Sequence, residues 1–188
     1  MKKVGILGGT FDPPHIGHFI MANEVKEALG LDEVRFMPNS IPPHKETKGT
    51  TNEQRLKMLE LGIARRNGFT LELIELERGG ISYTYDTMKL LVEREPHEFY
   101  FIIGGDSIDS LHTWYRIDEL VKLVQFVGVG RPGTRGISKY NVKMIETPEV
   151  NLSSTLLRTR LSEGKSVAYL LPEAIEAYIR EEGLYGSK

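Results

Sequence analysis

Short continuous apolar runs alternate along the chain with segments whose apolar residues recur every three or four positions. Val4 to Leu7 is the first run; it predicts a strand that enters a tight loop at Gly8-Gly9. Phe19, Ala22, Val25 and Leu29 then fall at helical spacing, and Gly30 stops the helix. Val34 to Met37 predicts a second strand, ended by Pro38, and a loop rich in Pro, Lys and Thr follows from Asn39 to about Thr50. Thr51 and Gln54 form a capping-box pattern at the head of a helix through Arg66. Phe69 to Glu77 reads as a strand and Tyr85 to Glu95 as a helix. Phe99 to Ile103 is apolar throughout and closed by Gly104-Gly105, as suits a strand covered on both faces. Ser107 to Leu123 reads as a helix, Gln125 to Val129 as a buried strand, and Val142 to Ile145 as a short one. Ser153 to Glu163 and Pro172 to Glu182 read as the last helices, with Pro172 in a favoured first-turn position.

Strand and helix therefore alternate from end to end. That pattern predicts an α/β fold: a doubly wound parallel sheet, helices on both faces, and a small C-terminal helical part. Ligands in such folds bind beyond the C-terminal ends of the strands. The motifs that follow the first, second and fourth strands should meet there. The 188 residues suit a single domain spanning 1–188. Charged residues at 27% and a net charge of -2 give no footing for binding nucleic acid by bulk charge. The absence of cysteine excludes disulfides and thiolate zinc sites and fits a reducing cytoplasm. No signal-peptide pattern or membrane-length apolar run is read, so the expectation is a cytoplasmic protein without membrane association.

The strongest chemical signal is Gly8-Gly9-Thr10-Phe11-Asp12-Pro13-Pro14-His15-Ile16-Gly17-His18. Two glycines after a strand let a phosphate approach the backbone, and Thr10 adds a hydroxyl. His15 and His18 flank Gly17 at a helix entry, where free N–H groups favour anions. Their imidazoles can donate to phosphate oxygens that gain charge during transfer. The loop does not match the dinucleotide fingerprint G-x-G-x-x-G. Gly164-Lys165-Ser166 looks like the tail of a phosphate loop, but Thr159 stands where its leading glycine is required. A zinc site on the two histidines would need Asp or Glu to complete it, and no metal ligands are assigned. The plainer alternative is a turn whose histidines only cap the helix. A second cluster, Leu152-Ser153-Ser154-Thr155-Leu156-Leu157-Arg158, opens a helix with hydroxyls and places an arginine one turn on. It can cradle an anion, or be a serine N-cap beside a solvated arginine.

Together these two segments resemble the nucleotidyltransferase superfamily marked by His-x-Gly-His and by Ile-Ser-Ser-Thr ending in Arg; Leu152 departs from that pattern conservatively. Within it, the chain resembles the bacterial nicotinate-nucleotide adenylyltransferases. Pro38-Asn39-Ser40-Ile41-Pro42-Pro43-His44-Lys45 looks like their substrate loop and Tyr83-Thr84-Tyr85-Asp86-Thr87 like their Y-T-x-D-T segment. Gly104-Gly105-Asp106-Ser107 with Leu111 and Trp114 is similar to their G-x-D stretch, although Gly105 stands where alanine is common. Tyr169 to Tyr185 resembles their last helix. The resemblance covers nearly the whole chain in order.

It implies a Rossmann-like nucleotidyltransferase fold and an enzyme of NAD biosynthesis. The adenylyl group of MgATP would pass to nicotinate mononucleotide by in-line attack, releasing pyrophosphate. His15, His18 and Arg158 would be catalytic. Gly8, Gly9, Thr10, Phe11, Gly104, Asp106 and Ser153, Ser154 and Thr155 would hold ATP. Trp114 would stack on the nicotinate ring, and backbone N–H groups near Thr84 and Tyr85 would receive its carboxylate. Asn39, His44, Lys45 and Arg131 would face the acceptor or the phosphates. Mg²⁺ would ride mainly on ATP phosphates. Asp106 has a rival reading as a helix N-cap, and His97 and His112 read as structural. Exposed apolar positions on the last helices are compatible with a homo-oligomer. Two alternatives remain at this stage. One is the same chemistry on nicotinamide mononucleotide or phosphopantetheine; the other is a non-catalytic nucleotide sensor.

Overall fold

The structure, a computed structural model, describes residues 1–40, 50–130 and 138–187. Six strands form one parallel sheet: β1 (Lys3–Gly9), β2 (Glu33–Pro38), β3 (Phe69–Leu71), β4 (Glu98–Gly104), β5 (Gln125–Gly130) and β6 (Val142–Glu146). Their order is β3-β2-β1-β4-β5-β6 and every pairing is parallel. The order reverses between β1 and β4, so a crevice opens beyond their C-terminal ends.

Alternate strand residues serve two separate cores, as the pleat requires. Val4, Ile6, Phe99, Phe101 and Phe126 pack on one face. They meet Met88 and Leu91 of α4 (Thr84–Arg94) and Leu120 of α6 (Ile117–Leu123). Leu7, Val34, Phe36, Ile102 and Val127 pack on the other. They meet Ala22 and Val25 of α1 (Ile16–Leu29) and Leu59 of α2 (Asn52–Ile63). Each of these larger apolar side chains (Val, Leu, Ile, Phe, Met), fully buried, contributes about 1.5–3 kcal/mol. A third cluster joins Met58 of α2 to Leu157 and Leu161 of α7 (Ser154–Ser162) and to Ile175 and Ile179 of α8 (Glu173–Glu181). It also takes in Leu184 and Tyr185, so the end of the chain is folded back onto α2.

Local signals act as read at several ends. Gly30 closes α1 in the left-handed conformation (φ 59°), and Thr51 and Gln54 make the reciprocal capping box of α2. Pro172 sits one position earlier than expected, as the residue before α8.

Two expected elements differ. The strand expected over Phe69 to Glu77 stops at Leu71, and α3 (Ile74–Arg78) replaces its second half. Glu72 and Glu75 are both buried and must find donors. Glu72 accepts from Arg35 (3.0 Å), Arg94 (2.9 Å) and the N–H of Ile74 (3.2 Å), while Glu75 accepts from Thr87 (3.0 Å). The chain turns after Leu71 to make these bonds. The helix expected over Ser107 to Leu123 is broken into α5 (Gly105–Ile108), a 3₁₀ turn at Leu111–Thr113, and α6. Ser110 donates to the carbonyl of Ser107 and Thr113 to that of Ser110, so these hydroxyls compete with the helix ladder. The break seats Trp114 edge-on against Phe101 (6.1 Å between centroids) and Phe126 (5.8 Å).

Candidate active site

The segment after β1 folds back on itself. Phe11 has φ 52°, and its ring is 2% exposed, wedged between Phe36 and the edge of His18 (centroids 5.9 and 5.0 Å). A Cβ on Gly9 would lie 3.2 Å from that ring, so this glycine makes room for Phe11. His15 is the residue before α1. Its Nδ1 accepts from the N–H of Gly17 (3.1 Å), and the Nδ1 of His18 accepts from the N–H of His15 (3.0 Å). With both Nδ1 atoms accepting, each neutral ring carries its proton on Nε2. The rings stack with centroids 3.8 Å apart. A Cβ on Gly17 would come within 2.9 Å of the His15 ring, so Gly17 serves this cap as well as any ligand.

Burial pushes His15 down to about 4 and His18 to about 3, the latter also because His15 lies beside it. Near neutral pH the pair thus presents N–H donors without charge. The expectation of free backbone N–H groups at the head of α1 is corrected here. The N–H of Ile16 goes to the carbonyl of Leu170 (3.0 Å), that of Gly17 to His15, and that of His18 to the carbonyl of His15 (3.0 Å). The imidazoles, rather than the backbone, are the donors this turn presents.

Two lobes open at the crevice and share His18, Met21 and Gly104. One, of about 510 Å³, is lined by His15, Gly17, Asp106, Asp109, Val129 and Leu152 among others. The second, of about 450 Å³, is lined by Gly8, Gly9, Asn39, Glu75, Thr84 and Trp114 among others. Thr84 is the first residue of α4, whose preceding residue Tyr83 makes no side-chain cap. The N-terminal end of a helix therefore faces the second lobe without a side-chain acceptor of its own, a setting that suits a carboxylate. The side chain of Tyr85 is buried, with the Arg116 guanidinium 4.2 Å from its ring centre, and Tyr85 is not among the residues lining this lobe. Asp106 is the second residue of α5, and Gly104 takes the cap position, which removes the N-cap reading of Asp106.

The second cluster lies against the first motif. Ser153 caps α7 by accepting from the N–H of Leu156 (3.1 Å). Ser154 donates to the carbonyl of Pro13 (2.8 Å), and Arg158 donates to the carbonyl of Asp12 (2.8 Å) and to Thr155 Oγ1 (3.1 Å). These residues brace the loop that carries the histidines. Thr10, Phe11, Ser153, Ser154, Thr155 and Arg158 are not among the residues lining either lobe, whereas the neighbouring Asn151 and Leu152 are. His44, Lys45 and Arg131 lie outside the described residues.

Comparison with known proteins decides the family. Residues 6–160 match the cytidylyltransferase-like family model. The nicotinate-nucleotide adenylyltransferase of Bacillus subtilis is 50% identical, with 100% of both chains covered. Probable nicotinate-nucleotide adenylyltransferases of Lactiplantibacillus plantarum (98% of this chain, 88% of that one) and Geobacillus thermodenitrificans (100% and 88%) are 55% and 53% identical. The chain belongs to the nicotinate-nucleotide adenylyltransferase family. The fold agrees: a Plasmodium falciparum nicotinic acid mononucleotide adenylyltransferase complexed with NaAD superposes with a TM-score of 0.81 at 20% identity, covering 100% of this chain and 99% of that one.

In this adenylyltransferase, three contributors to the site escaped the sequence reading. Arg55 is fully buried and donates to the carbonyls of Thr10 (2.7 Å) and Asn39 (2.6 Å). The available signal was an arginine on the same α2 stripe as Met58 and Leu59. Asp12 is buried and accepts from Thr50 (2.7 Å) and from the Tyr185 hydroxyl, which ties the end of the chain to the motif loop. Glu75 lines the second lobe with its carboxyl raised above the usual range by burial. Its signal was masked by reading a strand there.

Proposed function

We propose that this adenylyltransferase transfers the adenylyl group of MgATP to nicotinate mononucleotide, giving nicotinate adenine dinucleotide and pyrophosphate in NAD biosynthesis. The observation that carries the reading is the pair of lobes meeting at His18 and Gly104. The lobe over Val129 and Leu152 suits the adenine nucleotide. The lobe with Trp114 and the uncapped head of α4 suits a flat ring bearing a carboxylate. At the junction, the α-phosphorus of ATP and the acceptor's phosphate oxygen would meet in line.

The nucleophile is already anionic near neutral pH, so the reaction needs no strong base. Rate comes from positioning and from donors aimed at oxygens that gain charge. The Nε2–H of His18, with that of His15, fills this role. Gly8, Gly9, Gly104 and Asp106 would hold the nucleotide phosphates and ribose, and Arg158 with Ser153 to Thr155 would keep the motif loop in place for them. Asn39 would face the acceptor's phosphate.

Mg²⁺, when bound, neutralises charge on the ATP phosphates. Asp106, Asp109 and Glu149 line the nucleotide lobe. Among the described residues, however, no group of three or more His, Cys, Asp or Glu gathers to hold a metal. The ion would be carried mainly by phosphate oxygens and water. Among the described residues no helix is long and apolar enough to cross a membrane.

The test is pyrophosphate release with MgATP and, separately, nicotinate mononucleotide, nicotinamide mononucleotide and 4′-phosphopantetheine. Strong preference for the nicotinate form is expected. Activity with another acceptor alone would remove the role of Thr84 and Trp114 in acceptor binding. ATP binding without release with any acceptor would make the chain a nucleotide sensor.

A further inference from the structure

Burying the Arg55 guanidinium costs free energy, because a desolvated cation must be repaid by several well-placed acceptors. It is 0% exposed, and its Nε has no hydrogen-bond partner among the described residues. A hydrophobic side chain of similar volume is often equally stable or more so in such a position. What a hydrophobic side chain cannot supply is the directed fork. One terminal nitrogen donates to the carbonyl of Thr10 (2.7 Å) and faces Asn39 Oδ1 (3.4 Å). The other donates to the carbonyl of Asn39 (2.6 Å) and to Asn52 Oδ1 (2.6 Å). Thr10 follows β1 and Asn39 follows β2, so a single side chain on α2 clamps the ends of both strands.

The clamp also decides which way the Asn39 amide points. Arginine only donates. The amide must therefore turn its oxygen to Arg55 and its nitrogen away. That nitrogen donates to Thr10 Oγ1 (3.2 Å), and the N–H of Asn39 donates to the carbonyl of Gly9 (3.0 Å). The amide nitrogen has a second hydrogen, and Asn39 lines the lobe that ends at His18.

We propose that Arg55 is a positioning residue for the acceptor: acting through Asn39, it holds an amide N–H donor toward the acceptor's phosphate. This rests on the adenylyl-transfer reading above. If the arginine were lost, the amide would be free to flip and present an oxygen to the phosphate, replacing attraction by repulsion.

The test is a double-variant cycle measured by steady-state kinetics with MgATP and nicotinate mononucleotide, using purified full-length protein whose melting has been checked. Arg55→Lys keeps the charge and loses the fork. It is expected to raise the acceptor's KM about tenfold, the scale of one charge-assisted bond. Asn39→Ala is expected to raise it by a similar factor. In the Asn39→Ala background, Arg55→Lys should add little. Asn39→Asp should be worse than Asn39→Ala, because it presents a carboxylate to the phosphate. If Arg55→Lys does not fold, Asn52→Ala takes its place in the cycle, with a rise of about threefold expected because only one leg of the fork is lost.

An undiminished Arg55→Lys or Asn52→Ala effect in the Asn39→Ala background would overturn the proposal, since it would mean a general structural role. So would an unchanged acceptor KM in Asn39→Ala. A wild-type protein inactive with nicotinate mononucleotide would instead remove the reading beneath it, and is seen before any variant is made.

Discussion

His18 does two jobs with two ring nitrogens, and they can be separated. Nδ1 accepts from the N–H of His15 and helps cap α1, which leaves Nε2–H as the donor of a ring that lines both lobes. An asparagine at this position places its Oδ1 near the former Nδ1 and has nothing at Nε2. His18→Asn is therefore expected to keep the cap and the melting temperature while losing the donor. Turnover should fall about a hundredfold, the effect of removing roughly 3 kcal/mol of transition-state stabilisation. Pyrophosphate release by the purified variant, beside its thermal melt, checks this; wild-type turnover with an unchanged melt would end the assignment. Glu75 shows the opposite use of burial. Its carboxyl is raised by desolvation, with Thr87 and Arg78 working against the shift. The folded state therefore holds this proton more tightly than the unfolded chain does, and stability falls as pH rises above the ordinary carboxylate value. Glu75→Gln should remove that fall while keeping an acceptor for Thr87; urea unfolding at pH 5 and pH 8 reads the difference.

At the scale of elements, α2 matters more than its distance from the chemistry suggests. It carries Arg55 to the strand ends on one turn and Met58 to the C-terminal cluster on the next. Its head is fixed by Thr51 accepting from the N–H of Gln54 (3.1 Å) and by Gln54 accepting from that of Thr51 (3.0 Å). Thr51→Ala is expected to cost about 1 kcal/mol, the usual worth of such a cap, read as a lower urea midpoint at unchanged slope. Because α2 delivers Arg55, the same variant should also loosen acceptor binding. The elements that differ from their sequence reading, β3 with α3 and α5 with α6, differ for one shared reason. Their polar residues (Glu72, Glu75, Ser110, Thr113) take local or tertiary partners that compete with the regular ladder of a strand or helix.

For the whole molecule, acid stability should come off in two stages. The unfolded chain protonates its histidines near the ordinary 6.5, while folded His15 and His18 stay neutral to about 4 and about 3. The unfolded state thus binds more protons across that window, and stability falls as pH drops through it. Glu95 follows: hydrogen bonding to Arg35, against a smaller opposing effect of burial, holds its carboxyl down to about 2 from 4.5, so its contribution is present above 4.5 and lost toward 2. Thermal melts from pH 7 to pH 3 should decline steadily from the histidine window onward. The His15→Ala/His18→Ala variant, though weaker throughout for want of its cap, should show a flatter slope between pH 6.5 and 4.

Apart from α3 and the break between α5 and α6, the order of strands and helices, the parallel sheet and the glycine-histidine loop were legible in the chain, because periodicity, caps and glycines are local and each states its own conformation. The family was legible for the same reason, as ordered short motifs along nearly the whole length. What each side chain does in the loop was not. That the histidines spend their Nδ1 atoms on each other's turn, that Gly9 yields to Phe11 and Gly17 to His15, and that the N–H groups at the head of α1 are already used follow only from the packed arrangement. Arg55 reaches Thr10 across 45 residues, and Tyr185 reaches Met58 across 127 and Asp12 across 173. Such contacts have no period to read, and tertiary structure alone decides them: a buried charge or hydroxyl must find its partner wherever the fold brings one within hydrogen-bond reach.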